Sequence, residues 1–450
     1  MSISQNFPEE GPTLNLNFAG SKTLDPRITF SRTSTGTYMD DSGLIVTAPA
    51  DSPRFDHRYV NGEIESLGLL VEESRSNLLT YSDTLVTGWS HIGFTSNAVD
   101  STYPNPTGNL GTKKLVEETG NTSNQKVLYE DVTVGNNDQV FSHSIFVKPI
   151  GDRNAQISIH NVAPSNAKGF TVNFNLSDLT TFTTSASSSS SLDDYGVVPY
   201  PNGWYKIYVV GNTGSLNSDG TTLRFHLRIL DSSGNQIYTG DGSSGLYAYG
   251  AQMELGAFPT SYIPTSGSTA TRNHDRAVIE GSNFTDIFNT NFNNFSMFVN
   301  YDNTDTDNGT SYSIIQFWGE STNFDNRVEF FKDNASPYHI ETRAFGGGSA
   351  IFSNGNLSGI SAQSVQKLAT SWSVDYSTSS GASRRWAFSF SGESVDVVND
   401  NTGTTIPSLT RIGFGINPTR TDSDGGKIHF KQISLYSNTL TDSQLQTLTK

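Results

Sequence analysis

The sequence predicts an all-β protein: a short N-terminal β-rich segment followed by two β-sandwich domains. Three observations predict it. Strand-like alternation with period two recurs along the chain, punctuated by tight turns, and helical signals are nearly absent. Charged residues make up only 16% while Gly numbers 41 of 450, the make-up of a turn-rich β protein. Phe 27 and Tyr 18 supply enough aromatic bulk to fill strand cores, so the polarity does not amount to disorder. At 450 residues the chain is too long for one ordinary core and fits two or three domains.

The elements follow in order. In the stretch from Leu24 to Leu79, Asp25-Pro26-Arg27 opens a turn, Ile28–Phe30 is β-prone, and Asp40–Gly43 is a hairpin-type turn leading into Leu44–Val46. Ser52-Pro53 breaks the run again. A boundary falls at Glu73–Asp83 and a second at Ile263–Ala270, a Pro/Gly/Ser/Thr connector. They divide the chain into units 1–75, 76–265 and 266–450. In the middle unit, Leu223, Phe225, Leu227 and Ile229 point one way, and Arg224, His226 and Arg228 the other. Thr180–Ser191 is low in complexity and reads as a loop or an edge connection. In the last unit Met297, Val299 and Tyr301 share a face, as do Trp386, Phe388 and Phe390. Ile428 and Phe430 share a phase that Ile433 and Leu435 reverse, which predicts a bulge around Lys431–Gln432. The last ten residues alone read as helical, with Thr441 to Gln444 as a capping box.

The wording of residues 24–79, LDPRITFSR through PRFDH to LGLLVEESRSNLL, resembles a segment of tailed-bacteriophage structural proteins, found near the N-terminus of fibre-like tail or head proteins. The resemblance implies a virion part, with 1–75 as its anchoring segment. Asn202–Ile207, Gly250–Glu254 and Phe258–Pro264 resemble the closing strands of a phage carbohydrate-binding-type jelly roll. Phe295–Val299, Arg385–Phe390, Lys427–Tyr436 and Leu440–Leu445 resemble concanavalin A-like, laminin-G-type lectin domains. Together these imply a fibre, spike or decoration subunit at the virion surface, assembled in the host cytoplasm. Its partners would be other virion proteins and host cell-surface polysaccharide, and its expected state a homotrimer. An ancillary module of a polysaccharide depolymerase, or an inert shell-stabilising decoration protein, are the alternatives.

A net charge of −16 argues against a nucleic-acid partner. Without cysteine there is no disulfide and no thiolate site. The N-terminus lacks the basic start and apolar core of a signal peptide, and no run reaches the length of a membrane span, so no membrane insertion is expected.

Candidate glycan-binding residues are aromatic first, because flat rings stack on sugar faces. Trp204 and Tyr205 adjoin on a strand and so face opposite sides of the sheet; one belongs to the core. Tyr247 and Tyr249 share a face and form a platform. Trp318 and Trp372 are candidates in the last unit, where Trp386 reads as core. Arg224 and Arg228 form a basic stripe around His226, suited to an acidic polysaccharide or an anionic patch on a neighbouring subunit. The same letters also describe core rings and a solvated face paired with local carboxylates. No cofactor is expected beyond a structural calcium, for which Asp305 and Asp307, and Asp422 and Asp424, place oxygen ligands at alternate positions. A polar turn needs the same residues.

Catalysis has no signature. No strand carries the Glu-x-Asp-x-Glu alternation of a retaining glycosidase. Glu63 and Glu65 alternate but read as outside either sandwich, and Glu393 and Asp396 face opposite sides. Neither a Gly-x-Ser-x-Gly elbow nor a His-Glu-x-x-His helix occurs. The expectation is a protein without enzymatic activity.

Overall fold

The computed structural model describes residues 11–120, 124–135, 138–162, 168–216, 221–288, 294–302, 312–319, 325–332, 340–353, 366–373, 384–392, 394–400, 407–415 and 426–450. They build two β-sandwiches, the second inserted into the first. One sheet of the outer sandwich runs, edge to edge, Asp396–Asp400, Arg384–Phe390, Gln366–Ser373, Asn294–Asp302, Lys427–Tyr436, Glu63–Glu72 and Arg54–Val60, with Leu14–Leu16 also on Lys427–Tyr436. Its companion runs Thr29–Ser31, Arg276–Glu280, Arg411–Phe414, Tyr312–Trp318, Arg327–Lys332, Ile340–Gly346 and Ser349–Ser353.

The period-two pattern explains how these strands share one core. Met297, Val299 and Tyr301 enter it from one strand, and Trp386, Phe388 and Phe390 from another. The Trp372 and Trp386 rings meet edge to face at 5.8 Å. Asn300 pairs with Gln432 but Tyr301 with Phe430, so Lys431 is an extra residue in its strand. That bulge restores phase and lets Ile428, Phe430, Ile433 and Leu435 all reach the same core. The closing helix Asp442–Thr449 carries the expected capping box between Thr441 and Gln444. Leu440 and Leu445 lie over Phe298, Ala369 and Ala387, the outer face of the first sheet.

The N-terminal segment is not a separate anchoring unit, a correction to the sequence reading. Leu14 pairs with Leu435 and Leu16 with Ile433, while Leu69 to Glu72 pair with Phe430 to Lys427. Leu14, Leu16, Phe18, Leu69 and Val71 belong to the same core as the C-terminal strands. Glu63 and Glu65 therefore lie on a sandwich strand, and Glu65 is engaged by Arg58 at 2.8 Å and Lys431 at 2.9 Å.

The chain leaves this sandwich and returns to it through one doorway. Arg75–Asn77 pairs antiparallel with Ala270–Arg272, zipping both ends of the insertion together. The inserted sandwich has one sheet in the order Val99–Pro104, Leu110–Glu117, Gly245–Leu255, Val140–Ile150, Trp204–Asn212 and Ser191–Tyr200. The other runs Thr181–Ala186, Gly169–Phe174, Asn154–Asn161, Thr222–Leu230, Lys126–Thr133 and Ser90–Ile92. Leu223, Phe225, Leu227 and Ile229 fill its core, as their alternation requires. Much of the low-complexity stretch is the edge strand Thr181–Ala186, paired with Gly169–Phe174, rather than a loop.

At the doorway lies a buried ion network. Arg54 reaches Glu72 at 2.8 Å and Asp275 at 2.5 Å, and Arg32 reaches Asp275 at 2.9 Å; these side chains are fully enclosed. Ser261 from the end of the insertion donates to Glu72 from both its amide and its hydroxyl, at 2.8 and 2.7 Å. Burial opposes ionisation of Glu72, but the Arg272 and Arg54 guanidiniums outweigh it and hold the carboxyl well below its usual range. Asn77 spends its whole amide on the doorway, donating to Ala251 and Ile263 carbonyls and accepting from the Leu79 and Met253 amides. Gly256 sits at φ +133, a conformation that side-chain-bearing residues rarely adopt, and a Cβ there would displace the Arg75 guanidinium.

Two expectations follow from burial. Arg54→Met strands Glu72 and Asp275 with less compensation and should lower the unfolding free energy by about 3–5 kcal/mol in urea titration. His143 is fully enclosed in the inserted core, its ring 3.7 Å from Phe225, with neither nitrogen hydrogen-bonded. Burial holds its pKa well below 6.5, so the folded state keeps it neutral. Its contribution is intact above the unfolded value of about 6.5 and falls by about 1.4 kcal/mol per pH unit below it. His143→Leu should therefore flatten the loss of denaturant midpoint between pH 7 and pH 5.

Candidate functional site

Two regions of the inserted sandwich collect polar and aromatic side chains within reach of solvent. The first is a cleft where the hairpin of Gly36–Met39 and Ile45–Ala48 lies on the outer face of the sheet containing Gly245–Leu255. The hairpin turn is shaped by Asp40, whose Oδ1 accepts from the Ser42 and Leu44 amides at 3.0 and 2.9 Å. Ile45 then packs among Phe146, Trp204, Tyr249 and Tyr262. Beside this cluster lies a small, shallow cleft lined by Leu44, Tyr103, Asn105, Tyr200, Asn202 and Trp204 among others.

At its rim Tyr103 and Tyr247 stack with centroids 4.1 Å apart and planes 12° from parallel. Lys148 sits 5.1 Å over Tyr103 and Lys114 5.8 Å over Tyr247. Lys148 donates to the Asn202 carbonyl at 2.6 Å, and Tyr247 Oη donates to Asp100 at 3.3 Å. Burial, with the Asp100 carboxylate beside it, raises the Tyr247 pKa, so the phenol stays protonated as a donor. Rings, amides and ammonium groups at one rim are what a hydroxylated ring needs: an apolar face to cover and donors and acceptors at its edge.

The second region is the outer face of the sheet containing Thr222–Leu230. The registers Asp131↔Arg224, Tyr129↔His226 and Val127↔Arg228 on one side, and His160, Ser158 and Gln156 on the other, place these side chains in three rows. Arg224 binds Asp131 through Nε and Nη2 at 2.5 and 2.7 Å and lies 4.1 Å over Tyr129. Arg228 donates to Gln125, Gln156 and Ser158, all neutral. Burial, with the two arginines beside it, pushes His160 down to about 4 and His226 well below its ordinary value, so both rings are neutral at pH 7.

Several sequence candidates sit elsewhere than proposed. Trp204 is 2% exposed and packed beneath the hairpin, so it contributes to the wall of the cleft rather than an open stacking face. Tyr205 faces the inserted core. Tyr249 is buried beside Tyr247, its hydroxyl on Asp83, so the two do not form one platform. Trp318 is buried on its strand and Trp372 lies in the outer core. Of that aromatic set Tyr247 keeps an open edge, and its true companion is Tyr103, which sequence reasoning missed. Asp305, Asp307, Asp422 and Asp424 lie outside the described residues. Among the described residues no cluster of three His, Asp or Glu side chains is placed to hold a metal, and no helix is long and apolar enough to cross a membrane.

No family model matches the chain, and no curated protein matches it. Among solved structures, the carbohydrate-binding module CBM40 of Ruminococcus gnavus IT-sialidase is 14% identical over 35% of this chain and 83% of that one, at a TM-score of 0.27. A Trypanosoma rangeli sialidase is 13% identical over 81% of this chain and 61% of that one, at 0.29. The CBM22-1–CBM22-2 tandem of Paenibacillus barcinonensis Xyn10C is 9% identical over 81% and 98%, at 0.25. Sialidases stand among these neighbours, against the expectation of a protein without enzymatic activity, which is withdrawn. At these identities and TM-scores the likenesses bring no substrate and no reaction to this chain.

The burial pattern sets an expected contrast. Trp204→Ala should cost about 3–5 kcal/mol of stability, as large core truncations do. Tyr247→Ala, at the half-open rim, should cost less, with its lost stacking contributing about 1.5 kcal/mol or less. Chemical denaturation of both variants checks this.

Proposed function

We propose that the protein is a surface subunit of a tailed-bacteriophage virion, a fibre, spike or decoration protein that holds host surface glycans through its inserted sandwich. The virion part rests on the resemblance carried by residues 24–79. The glycan part rests on one observation, the stacked Tyr103 and Tyr247 at the rim of a cleft with Lys148, Asn202 and Asp100 around it. The outer sandwich would face its virion neighbours. A homotrimer would present three inserted sandwiches at once, so that weak single-site contacts add up through effective concentration.

Protein clustered on a bead or array should retain host-envelope polysaccharide, and Tyr103→Ala should weaken that retention about tenfold, the equivalent of about 1.4 kcal/mol. Absence of retention by clustered protein would remove the glycan part. Gold-labelled antibody against residues 266–450 on intact virions checks the virion part: label on shell or tail supports it, and unlabelled particles refute it.

A further inference from the structure

We infer that the outer face of the Thr222–Leu230 sheet is a subsite for the acid group of a sugar, a carboxylate or a sulfate, with Arg228 as its anchor. The inference rests on the glycan-binding reading above and names the class of glycan. It starts from a charge without a counter-ion. Arg228 is 9% exposed, and its Nε and Nη1 are held at 3.0, 2.6 and 3.1 Å by the Gln125 amide oxygen, the Gln156 amide oxygen and Ser158 Oγ. No carboxylate of the described residues pairs with it, and its Nη2 makes no hydrogen bond. The neighbouring arginines are different: Arg224 has Asp131 and Arg153 has Glu117. A buried guanidinium held only by neutral partners is costly, and an incoming anion relieves that cost.

The surroundings suit a sugar acid more than a bare ion or a polyanion. Gln156 is itself oriented by donating to Asn173 Oδ1 at 2.6 Å, so the guanidinium is fixed before anything arrives. The free Nη2 presents its N–H groups in a plane, the geometry that accepts a carboxylate or sulfate oxygen. Next to it His226 shares a hydrogen bond with Ser158 at 3.3 Å and lies 4.2 Å from the His160 ring. Both rings are neutral at pH 7 and offer nitrogen donors and acceptors to sugar hydroxyls without competing for the anion. Arg224 is neutralised by Asp131, so the face carries one net positive charge in a protein of net charge −16. One recessed cation on an acidic molecule selects a single acid group at close range and does not draw in a densely charged polymer.

The test uses the full chain in calorimetric titration with sodium sulfate, sodium glucuronate and glucose at matched ionic strength. Saturable binding of glucuronate or sulfate, with glucose silent, is expected. Glucuronate alone would assign a carboxylate sugar, and sulfate alone a sulfated one. Arg228→Lys keeps a cation but loses the planar fork and should weaken binding at least tenfold. Arg228→Met removes the uncompensated charge, so it should melt no lower than the parent while losing the anion response. Equal anion binding by parent and both variants, or none by the parent, overturns the proposal. If clustered Arg228→Met protein retains glycans as well as the parent, the acid subsite falls and the glycan-binding reading stands. Sulfate bound at Arg228 by a protein that retains no glycan means an adventitious ion only, and both fall.

Discussion

The arrangement depends on a set of charges that never meet water. Arg32 and Arg54 come from the N-terminal strands, Glu72 from the last strand before the insertion, and Arg272 and Asp275 from the chain as it returns. Each alone would be expensive to bury, and together they are compensated only when all four chain segments are in place. Asp275 Oδ2 also accepts from the Glu72 amide at 2.9 Å, tying side-chain charge to backbone position. The network therefore acts as a condition on topology: the insertion's ends must lie side by side, and the N-terminal segment must lie over them. The ribbon Arg75–Asn77 with Ala270–Arg272 and the four-fold use of the Asn77 amide are the backbone counterpart of the same condition.

That constraint explains which parts of the fold were legible in the sequence. Local devices could be read directly: the alternation of Leu223, Phe225, Leu227 and Ile229, the phase reversal at Lys431, and the capping box at Thr441. Each is decided by residues within one turn or one strand. The partner of a strand is not decided locally. Leu14 pairs with Leu435, 421 positions away as the register gives it (435 − 14), and nothing within residues 1–75 announces that partner. The turn at Asp40–Gly43 is set by its own residues and could be read from them. The burial of Arg32, Arg54 and Glu72 is not, and their function appears only when Asp275 and Ser261 arrive from the far side of the insertion.

The site was legible in kind but not in position. Aromatics on the outer face of the Gly245–Leu255 sheet were expected to be open, and the hairpin carrying Ile45 closes over Trp204 and Tyr249. Tyr247 escapes because it lies farther along the strand, opposite Lys114, where Tyr103 and not the hairpin is its neighbour. The basic stripe divides for a similar reason. Arg224 and Arg228 are equivalent in the sequence, both on the polar side of one strand. Across the ladder Arg224 meets Asp131 while Arg228 meets Val127 and Gln156. A register difference of four residues converts one arginine into a paired surface group and leaves the other a buried cation without an anion.

The two regions of the inserted sandwich belong to different sheets, and so to opposite faces of the same core. A ligand on the Tyr103–Tyr247 rim touches the seam with the outer sandwich, since Leu44 of the hairpin lines the cleft. A ligand at Arg228 touches the inserted sandwich alone. The rim is thus built by both sandwiches, and its shape depends on the buried charges that set the hairpin in place: Arg54 donates to the Thr37 carbonyl, and Arg32 to that of Pro49. The Arg228 face depends only on the registers of its own sheet. A change at the doorway should disturb the first and spare the second, so the ion network is a determinant of cleft geometry as well as of stability.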